Sequence, residues 1–242
     1  GPGQARPQGR DPGDRALSRG GGRGTDPQAR VRVWDLPTRL FHWSLVLLVG
    51  FSIATAQLGG FWMDWHMRSG YAILTLVLFR LLWGFAGSRY ARLAHFVRGP
   101  RVVMAYLRGR LADTGAGHNP LGALSVVAML LVLLVQAGSG LFTNDGSFTE
   151  GPLAPLVSSA LGERLSTLHR WGEWAIWAMV GLHLAAIAYY LVLRRQNLVA
   201  AMLTGDKIGL KAQTIEDTPL LWVRAAILLA ISAALVAYVV TL

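Results

Sequence analysis

Four of the six histidines lie inside or at the ends of long apolar stretches: His42, His66, His169 and His183. Ionisable side chains are costly in the hydrocarbon core of a bilayer, so such residues are functional candidates. In a helix, the 14-residue spacing of His169 and His183 places them within ~40° of one face and ~21 Å apart along the axis. One helix is therefore predicted to present two imidazoles at two depths.

Each of these imidazoles is predicted to face another from an earlier helix. The order of the spans puts His42 level with His183 and His66 level with His169. We call His42 and His183 the inner pair and His66 and His169 the outer pair, after the membrane orientation predicted below. Two facing imidazoles suit the axial positions of a haem iron better than a tetrahedral zinc site, which needs three or four ligands. The chain has no cysteine, which excludes Fe–S clusters and haem attached through C-x-x-C-H. The pattern predicts two non-covalent haems b.

Two further residues fit flat cofactors between helices. Arg80 follows His66 by 14 residues on the same face, at the predicted level of the inner pair. No acidic residue is evident at that depth, so a propionate of the inner haem is its expected partner; the alternative is a guanidinium that reaches the nearby interface. Gly70 lies one turn after His66, where the missing side chain gives room for a planar group, although glycine also serves simple packing in membrane helices.

Three other titratable residues have open roles. His118 stands directly before the third span in Gly-His-Asn-Pro, where it could meet a haem propionate, meet a quinone or cap the helix. His95 falls in a basic amphipathic stretch, residues 91–111, that is expected to lie on the inner membrane surface. Glu173 is expected to be a helix-start glutamate that favours the macrodipole, with hydrogen bonding or proton handling as the alternative.

The elements that would position these residues are membrane helices. Of the 242 residues, 53% are hydrophobic and only 15% are charged, and the mean hydropathy is +0.41, which is not a soluble composition. Five apolar stretches are long enough to cross a ~30 Å hydrocarbon core at 1.5 Å per residue. We predict an all-α integral membrane protein with a four-helix haem-binding transmembrane bundle and a fifth C-terminal transmembrane helix. The predicted spans are 40–58, 66–87, 120–142, 166–193 and 219–242, with Pro120 and Pro219 in first turns.

The net charge of +10 is distributed by topology. Lys and Arg number eight up to residue 40, six in residues 88–117 and four in residues 194–218, against one in the two alternate connections. The positive-inside rule places the N-terminus in the cytoplasm and the C-terminus in the periplasm of a bacterial inner membrane. Because the basic residues are not gathered on one face, nucleic-acid binding is excluded.

The chain is predicted to have three parts. Residues 1–30 hold eight Gly, four Pro and six Arg and lack the apolar core of a secretory signal peptide, which predicts a disordered basic cytoplasmic tail. Residues 31–208 form the four-helix haem domain. Residues 209–242 form a linker and the fifth helix.

The motifs together resemble the bacterial cytochrome b561 family, which includes the b-type cytochrome subunits of membrane Ni/Fe-hydrogenases. The resemblance covers roughly residues 31–208 and implies two haems b that link the quinone pool to a redox partner protein, such as a hydrogenase or a c-type cytochrome. It implies the same four ligands, His42, His66, His169 and His183, while Arg80 and His118 match motif positions outside the ligand set. The motifs are Val-Trp-Asp-Leu-Pro-Thr-Arg-Leu-Phe-His-Trp (33–43), His-Met-Arg-Ser-Gly-Tyr (66–71), Arg-Leu-Leu-Trp-Gly (80–84), Gly-His-Asn-Pro-Leu-Gly (117–122), Leu-His (168–169) and Leu-His (182–183).

Two other classes of function compete with electron transfer. A proton or ion transporter would use the intramembrane histidines and Arg80 without haem, but it would be expected to show an inverted repeat or broken helices. A structural membrane anchor would leave the histidines incidental. A visible spectrum of the purified protein separates these classes, since only the first predicts a reducible low-spin haem signal.

Overall fold

The computed structural model describes residues 30–111, 117–144, 146, 149–208 and 213–242. The predicted disordered tail, residues 1–30, lies outside the described residues except for Arg30, which begins a strand. Part of the predicted linker, residues 209–212, also lies outside them.

The described part of the chain is mainly helical, and five helices are long and apolar enough to cross a membrane. The predicted all-α membrane fold is therefore confirmed. The five long helices are α1 (Leu36–Leu58), α2 (Met63–Ala86), α5 (Pro120–Gly140), α6 (Ser159–Val192) and α8 (Pro219–Val239); the short elements are α3 (Leu93–Phe96), α4 (Pro100–Leu107), α7 (Leu198–Thr204), β1 (Arg30–Arg32), β2 (Asp206–Ile208) and the 3-10 turns Gly60–Trp62 and Ala154–Leu156.

Polar caps and prolines set where the long helices begin. Asp35 Oδ1 accepts a hydrogen bond from the Thr38 N–H at 2.7 Å at the start of α1, which satisfies one of the free donors of the first turn. Asn119 does the same for α5, and Thr218 for α8. Pro120 and Pro219 occupy first-turn positions, as predicted.

Helix α6 is longer than predicted. It begins at Ser159 rather than at residue 166, because Ser158 supplies the N-cap. Its 34 residues span ~51 Å at 1.5 Å per residue, so it extends beyond a ~30 Å hydrocarbon core. The expectation that Glu173 is a helix-start residue is wrong, because it lies more than three turns into α6 and the macrodipole acts only within the first turn.

The long helices form a bundle with a gap on one side. Helix α2 is central, since it packs against α1, α5 and α8, and α5 packs against α6. Within the described residues, α6 makes no comparable contact with α1 or α2. The buried core between α1, α2 and α5 includes Phe41, Val77 and Trp83. The four predicted histidine ligands lie on the helices on either side of this gap, α6 on one side and α1 and α2 on the other.

The predicted amphipathic stretch, residues 91–111, contains the two short helices α3 and α4. His95 is exposed, and so are the arginines on either side of α4, Arg98 and Arg108. This segment connects α2 to α5 on the same side of the bundle as the start of α1.

A two-stranded antiparallel sheet joins the segment before α1 to the segment after α7. Arg32 pairs with Asp206 in the sheet, and its guanidinium contacts the carboxylates of Asp206 and Asp217, each at 2.9 Å. Asp217 Oδ1 also accepts from the Leu36 N–H at 3.2 Å. We call β1, β2 and residues 213–217 the strand clip. It ties the starts of α1 and α8 together and holds Trp34 in a buried position.

Candidate functional site

The outer pair lies side by side across the gap between α2 and α6. The ring centroids of His66 and His169 are 6.0 Å apart, with the ring planes nearly perpendicular. A cavity of about 300 Å³ opens beside them between α1, α2, α5 and α6. Gly70 and Tyr71 also line it, and a Cβ on Gly70 would meet no atom within 4 Å. The space at Gly70 is therefore open, and its use by a planar group stays a prediction.

Backbone carbonyls of neighbouring helices orient both rings of the outer pair. His66 Nδ1 lies 2.9 Å from the carbonyl oxygen of Ser52 in α1, and His169 Nδ1 lies 2.9 Å from that of Gln136 in α5. Because a carbonyl only accepts, each Nδ1 carries the hydrogen and each Nε2 keeps a free lone pair. Metal-ligating histidines usually donate their second ring N–H in this way.

A polar bridge closes one side of the outer cavity. Gln57 Nε2 in α1 donates to Glu173 Oε1 in α6 at 2.8 Å, and the Trp177 indole N–H donates to the same oxygen at 3.3 Å. Glu173 lines the cavity. Its role is therefore hydrogen bonding between helices, which was the alternative to the helix-start interpretation.

The inner pair lies between α1 and α6. The ring centroids of His42 and His183 are 6.4 Å apart, and the planes are inclined at 50°. His42 Nδ1 is buried and has no hydrogen-bond partner among the described residues. The two pairs thus match in separation but differ in how their rings are held.

Arg80 is buried close to the inner pair's end of the bundle. It is only 2% exposed, its guanidinium carbon lies 5.9 Å from the ring centroid of Phe96, and its Nη1 has no hydrogen-bond partner in the described part of the chain. The buried Asp35 lies near enough for its charge to act on Arg80, which the sequence does not reveal. Asp35 also caps α1 and accepts from Trp83 Nε1 and Ser88 Oγ, and it forms no ion pair with Arg80 among the described contacts.

His118 sits between two aromatic rings, with centroids 4.6 Å from Trp34 and 4.9 Å from Phe96. Its Nδ1 is buried without a described partner. Burial, together with the positive charges of Arg80 and Lys207, lowers the pKa of His118 to about 3. The helix-cap role belongs to Asn119, whose Oδ1 accepts from the Gly122 N–H at 2.7 Å. Of the three roles open to His118, capping is therefore wrong.

Several residues of the site were not predicted from the sequence. Ser52 contributes only a backbone carbonyl, which leaves no signature in the side chains. Gln136 is visible as the one amide in an otherwise apolar span, and its polarity was a usable signal. A Cβ on Gly140 would lie 2.8 Å from the His169 ring, so this glycine gives the ring its room. Within the described residues, no three His, Asp or Glu side chains gather as a metal cluster, which agrees with paired rather than clustered histidines.

Comparison with known proteins finds relatives of one kind. The chain is 24% identical to the probable Ni/Fe-hydrogenase B-type cytochrome subunit of Rhodobacter capsulatus, over 73% of this chain and 81% of the relative. It is 27% identical to the protein of the same name from Azotobacter chroococcum mcd 1, over 74% and 88%, and 22% identical to the probable Ni/Fe-hydrogenase 1 B-type cytochrome subunit of Escherichia coli K12, over 72% and 88%. No solved structure gives a significant match.

A family model described as prokaryotic cytochrome b561 matches residues 33–205, which is most of the chain and contains all four candidate ligands. The resemblance predicted from the motifs is confirmed. Membership implies haem b, held by a multi-pass membrane protein, and it indicates transmembrane electron transfer. The chain therefore belongs to the prokaryotic cytochrome b561 family.

Proposed function

We propose that the chain carries electrons across the membrane through two b-type haems, one held by the outer pair and one by the inner pair. The observation that carries the proposal is the meeting of four histidines as two pairs, with ring centroids 6.0 and 6.4 Å apart. Two imidazoles that share a metal ion at about 2 Å from each nitrogen have centroids roughly 6 Å apart. Both separations fit an iron between the rings.

The fit is supported by the surroundings of each pair. At the outer pair, the Nε2 atoms are left free by the bonds that hold Nδ1, and the cavity beside them falls in the range of small-molecule sites, about 300–1,000 Å³. At both levels, α6 is separated from α1 and α2 by a gap rather than packed against them. When bound, each haem would be held by the two histidines of its pair and would supply a one-electron ferric/ferrous couple.

Buried donors near the inner pair suit the carboxylates of a haem. Arg80 Nη1 and His118 Nδ1 are both buried and lack a described partner, and unmet buried donors are costly. We assign Arg80 to an inner haem propionate through a charge-assisted hydrogen bond. His118, neutral at physiological pH, is placed to donate to a propionate or to a quinone bound at this end.

The two levels define a route between a partner protein and the quinone pool. The charge bias of the connections places the outer pair toward the periplasm and the inner pair toward the cytoplasm, with the N-terminus inside and the C-terminus outside. Because the relatives carry the name of Ni/Fe-hydrogenase subunits, we propose a hydrogenase as the periplasmic partner, with a c-type cytochrome as the alternative. Quinone is the proposed partner at the inner end.

Haem content and the visible spectrum of the purified protein test this proposal. We expect about two low-spin, reducible haems b per chain, measured by pyridine haemochrome against protein concentration. The exposed His95 provides a control, since His95→Ala should retain both haems. A chain that folds and inserts but binds no haem with adequate haem supply would refute the proposal.

A further inference from the structure

Gln136 is a polar residue about one turn from the end of an apolar helix. It lies four residues before the end of α5, and the amide needs partners there because the bilayer supplies none. It lies on the side of α5 that faces α6, where it lines the outer cavity. The proposed ligand set does not use it.

Gln136 and His169 are joined by two reciprocal hydrogen bonds. His169 Nδ1–H donates to the backbone carbonyl of Gln136 at 2.9 Å, and Gln136 Nε2–H donates to the backbone carbonyl of His169 at 2.9 Å. One residue of α5 therefore holds both the ring and the backbone of one residue of α6. Such a clasp fixes the rotation of the imidazole as well as its tautomer.

Two glycines give this clasp its room. A Cβ on Gly172 would overlap the side-chain oxygen of Gln136, and a Cβ on Gly140 would lie 2.8 Å from the His169 ring carbon Cε1. By contrast, a Cβ on Gly138 or Gly181, on the same two helices, would meet nothing within 4 Å. The Gln136 amide therefore fills the space beside Gly172.

We propose that Gln136 is the positioning residue of the outer haem ligand His169, and that Gly172 and Gly140 are required by this clasp. The inference rests on the proposed function. A packing role alone explains the site less well, because Gln136 Oε1 is buried without a described partner, a cost that leucine or methionine would avoid. The bond from Nδ1 makes the imidazole a stronger donor to iron, which favours the ferric state and lowers the midpoint potential.

The test uses the full chain in membranes, with separate redox titration of the two haems and their low-spin EPR signals. Gln136→Met keeps the length of the side chain and the backbone carbonyl that accepts from His169 Nδ1, and it removes only the bond from Nε2–H to the His169 carbonyl. Because the clasp would no longer fix the rotation of the His169 ring, we expect a changed midpoint potential and altered EPR g-values for the outer haem, with partial loss of that haem. The inner haem should not change, and it reports folding in the same molecules.

A double variant isolates the contact between Gln136 and Gly172. Gly172→Ala should lose outer haem because the new methyl group strikes the amide, while Gly181→Ala should retain it. Gly172→Ala combined with Gln136→Ala should recover outer haem to the level of Gln136→Ala alone, because the obstructing amide is gone. Gly140→Ala should lose outer haem, and Gly138→Ala should not.

The inference is overturned if Gln136→Met leaves the outer potential, g-values and occupancy unchanged, or if the double variant binds no more outer haem than Gly172→Ala alone. A wild-type chain without haem would instead refute the proposed function. The two failures are distinguishable, because the first set requires a wild-type protein that carries both haems.

Discussion

The outer and inner histidine pairs have nearly the same separation but differ in their supports. The outer rings donate Nδ1–H to carbonyls of α1 and α5, so neighbouring helices fix both ligands. The inner His42 has no such bond among the described residues. Instead, the inner end gathers charge and buried polar groups: Arg80, Asp35 and the His118 ring under the strand clip.

This difference teaches that one fold tunes its two sites by different means. With the proposed haems bound, the hydrogen bonds from His66 and His169 would raise the basicity of these ligands and favour ferric iron, which would lower the midpoint potential of the outer haem. The buried guanidinium of Arg80 would favour ferrous iron in the inner haem and so raise its midpoint potential. On the proposed function, both effects would favour electron transfer from the outer haem to the inner haem.

The largest expected effect is the loss of one haem. Replacing His66 or His169 by Ala should remove only the outer haem, and replacing His42 or His183 should remove only the inner one, because each substitution leaves a single imidazole. Haem content should fall to about half of the wild-type value. Resolved α-band spectra or EPR signals identify which haem remains.

A cross-pairing result would break the comparison. If His42→Ala and His66→Ala removed the same haem, the two levels would not be independent and the pairing across the gap would be wrong. His95→Ala is the matched control, since that ring is exposed outside the spans.

The next effect concerns the wild-type protein alone. We expect the outer haem to have a midpoint potential at least about 60 mV below that of the inner haem, equivalent to a tenfold equilibrium constant for a one-electron couple. Redox titration in membranes measures both values, and the ligand variants assign them. An outer haem with the higher potential would contradict the account of hydrogen bonds and charge.

A smaller shift is expected from the buried guanidinium. Arg80→Gln should lower the inner midpoint potential, on the order of tens of millivolts, because a positive charge is removed from a poorly solvated position. The outer potential should not change. Arg68→Gln is the matched control: it removes the same charge from an exposed position on the same helix and should change neither value. Equal shifts in the midpoint potentials of both haems would contradict a local effect of Arg80 on the inner haem.

Much of the fold and of the ligand geometry could be predicted from the sequence. Apolar length gave the five spans, and prolines marked the starts of α5 and α8, because these signals are local. The two histidine pairs followed from helical period and from the order of the spans. The structure brings His42 near His183 and His66 near His169, while their role as haem ligands stays a prediction.

The parts that could not be predicted depend on neighbours distant in sequence. The start of α6 was missed because the segment before residue 166 is too polar for a span, whereas its helicity depends on the Ser158 cap. The carbonyls of Ser52 and Gln136 have no side-chain pattern to reveal them. Asp35 was missed as a neighbour of Arg80 because it precedes α1 and comes near α2 only through tertiary packing.

The smallest expected effect concerns the strand clip, which holds Trp34 next to His118 near the inner end. Arg32 contacts Asp206 and Asp217, and the hydrogen bond to Asp206 is the main cause that raises its pKa. Arg32→Gln should destabilise the clip by less than about 1 kcal/mol, because the guanidinium is 35% exposed and solvent screens the ion pairs. Arg30→Gln, at an exposed position of the same strand, is the matched control.

Since the clip holds Trp34 against His118, inner haem should be released at a lower temperature in Arg32→Gln while outer haem is retained as in the wild type. Thermal loss of each haem's absorbance measures this, and simultaneous loss of both haems would show that the clip stabilises the whole bundle rather than the inner site.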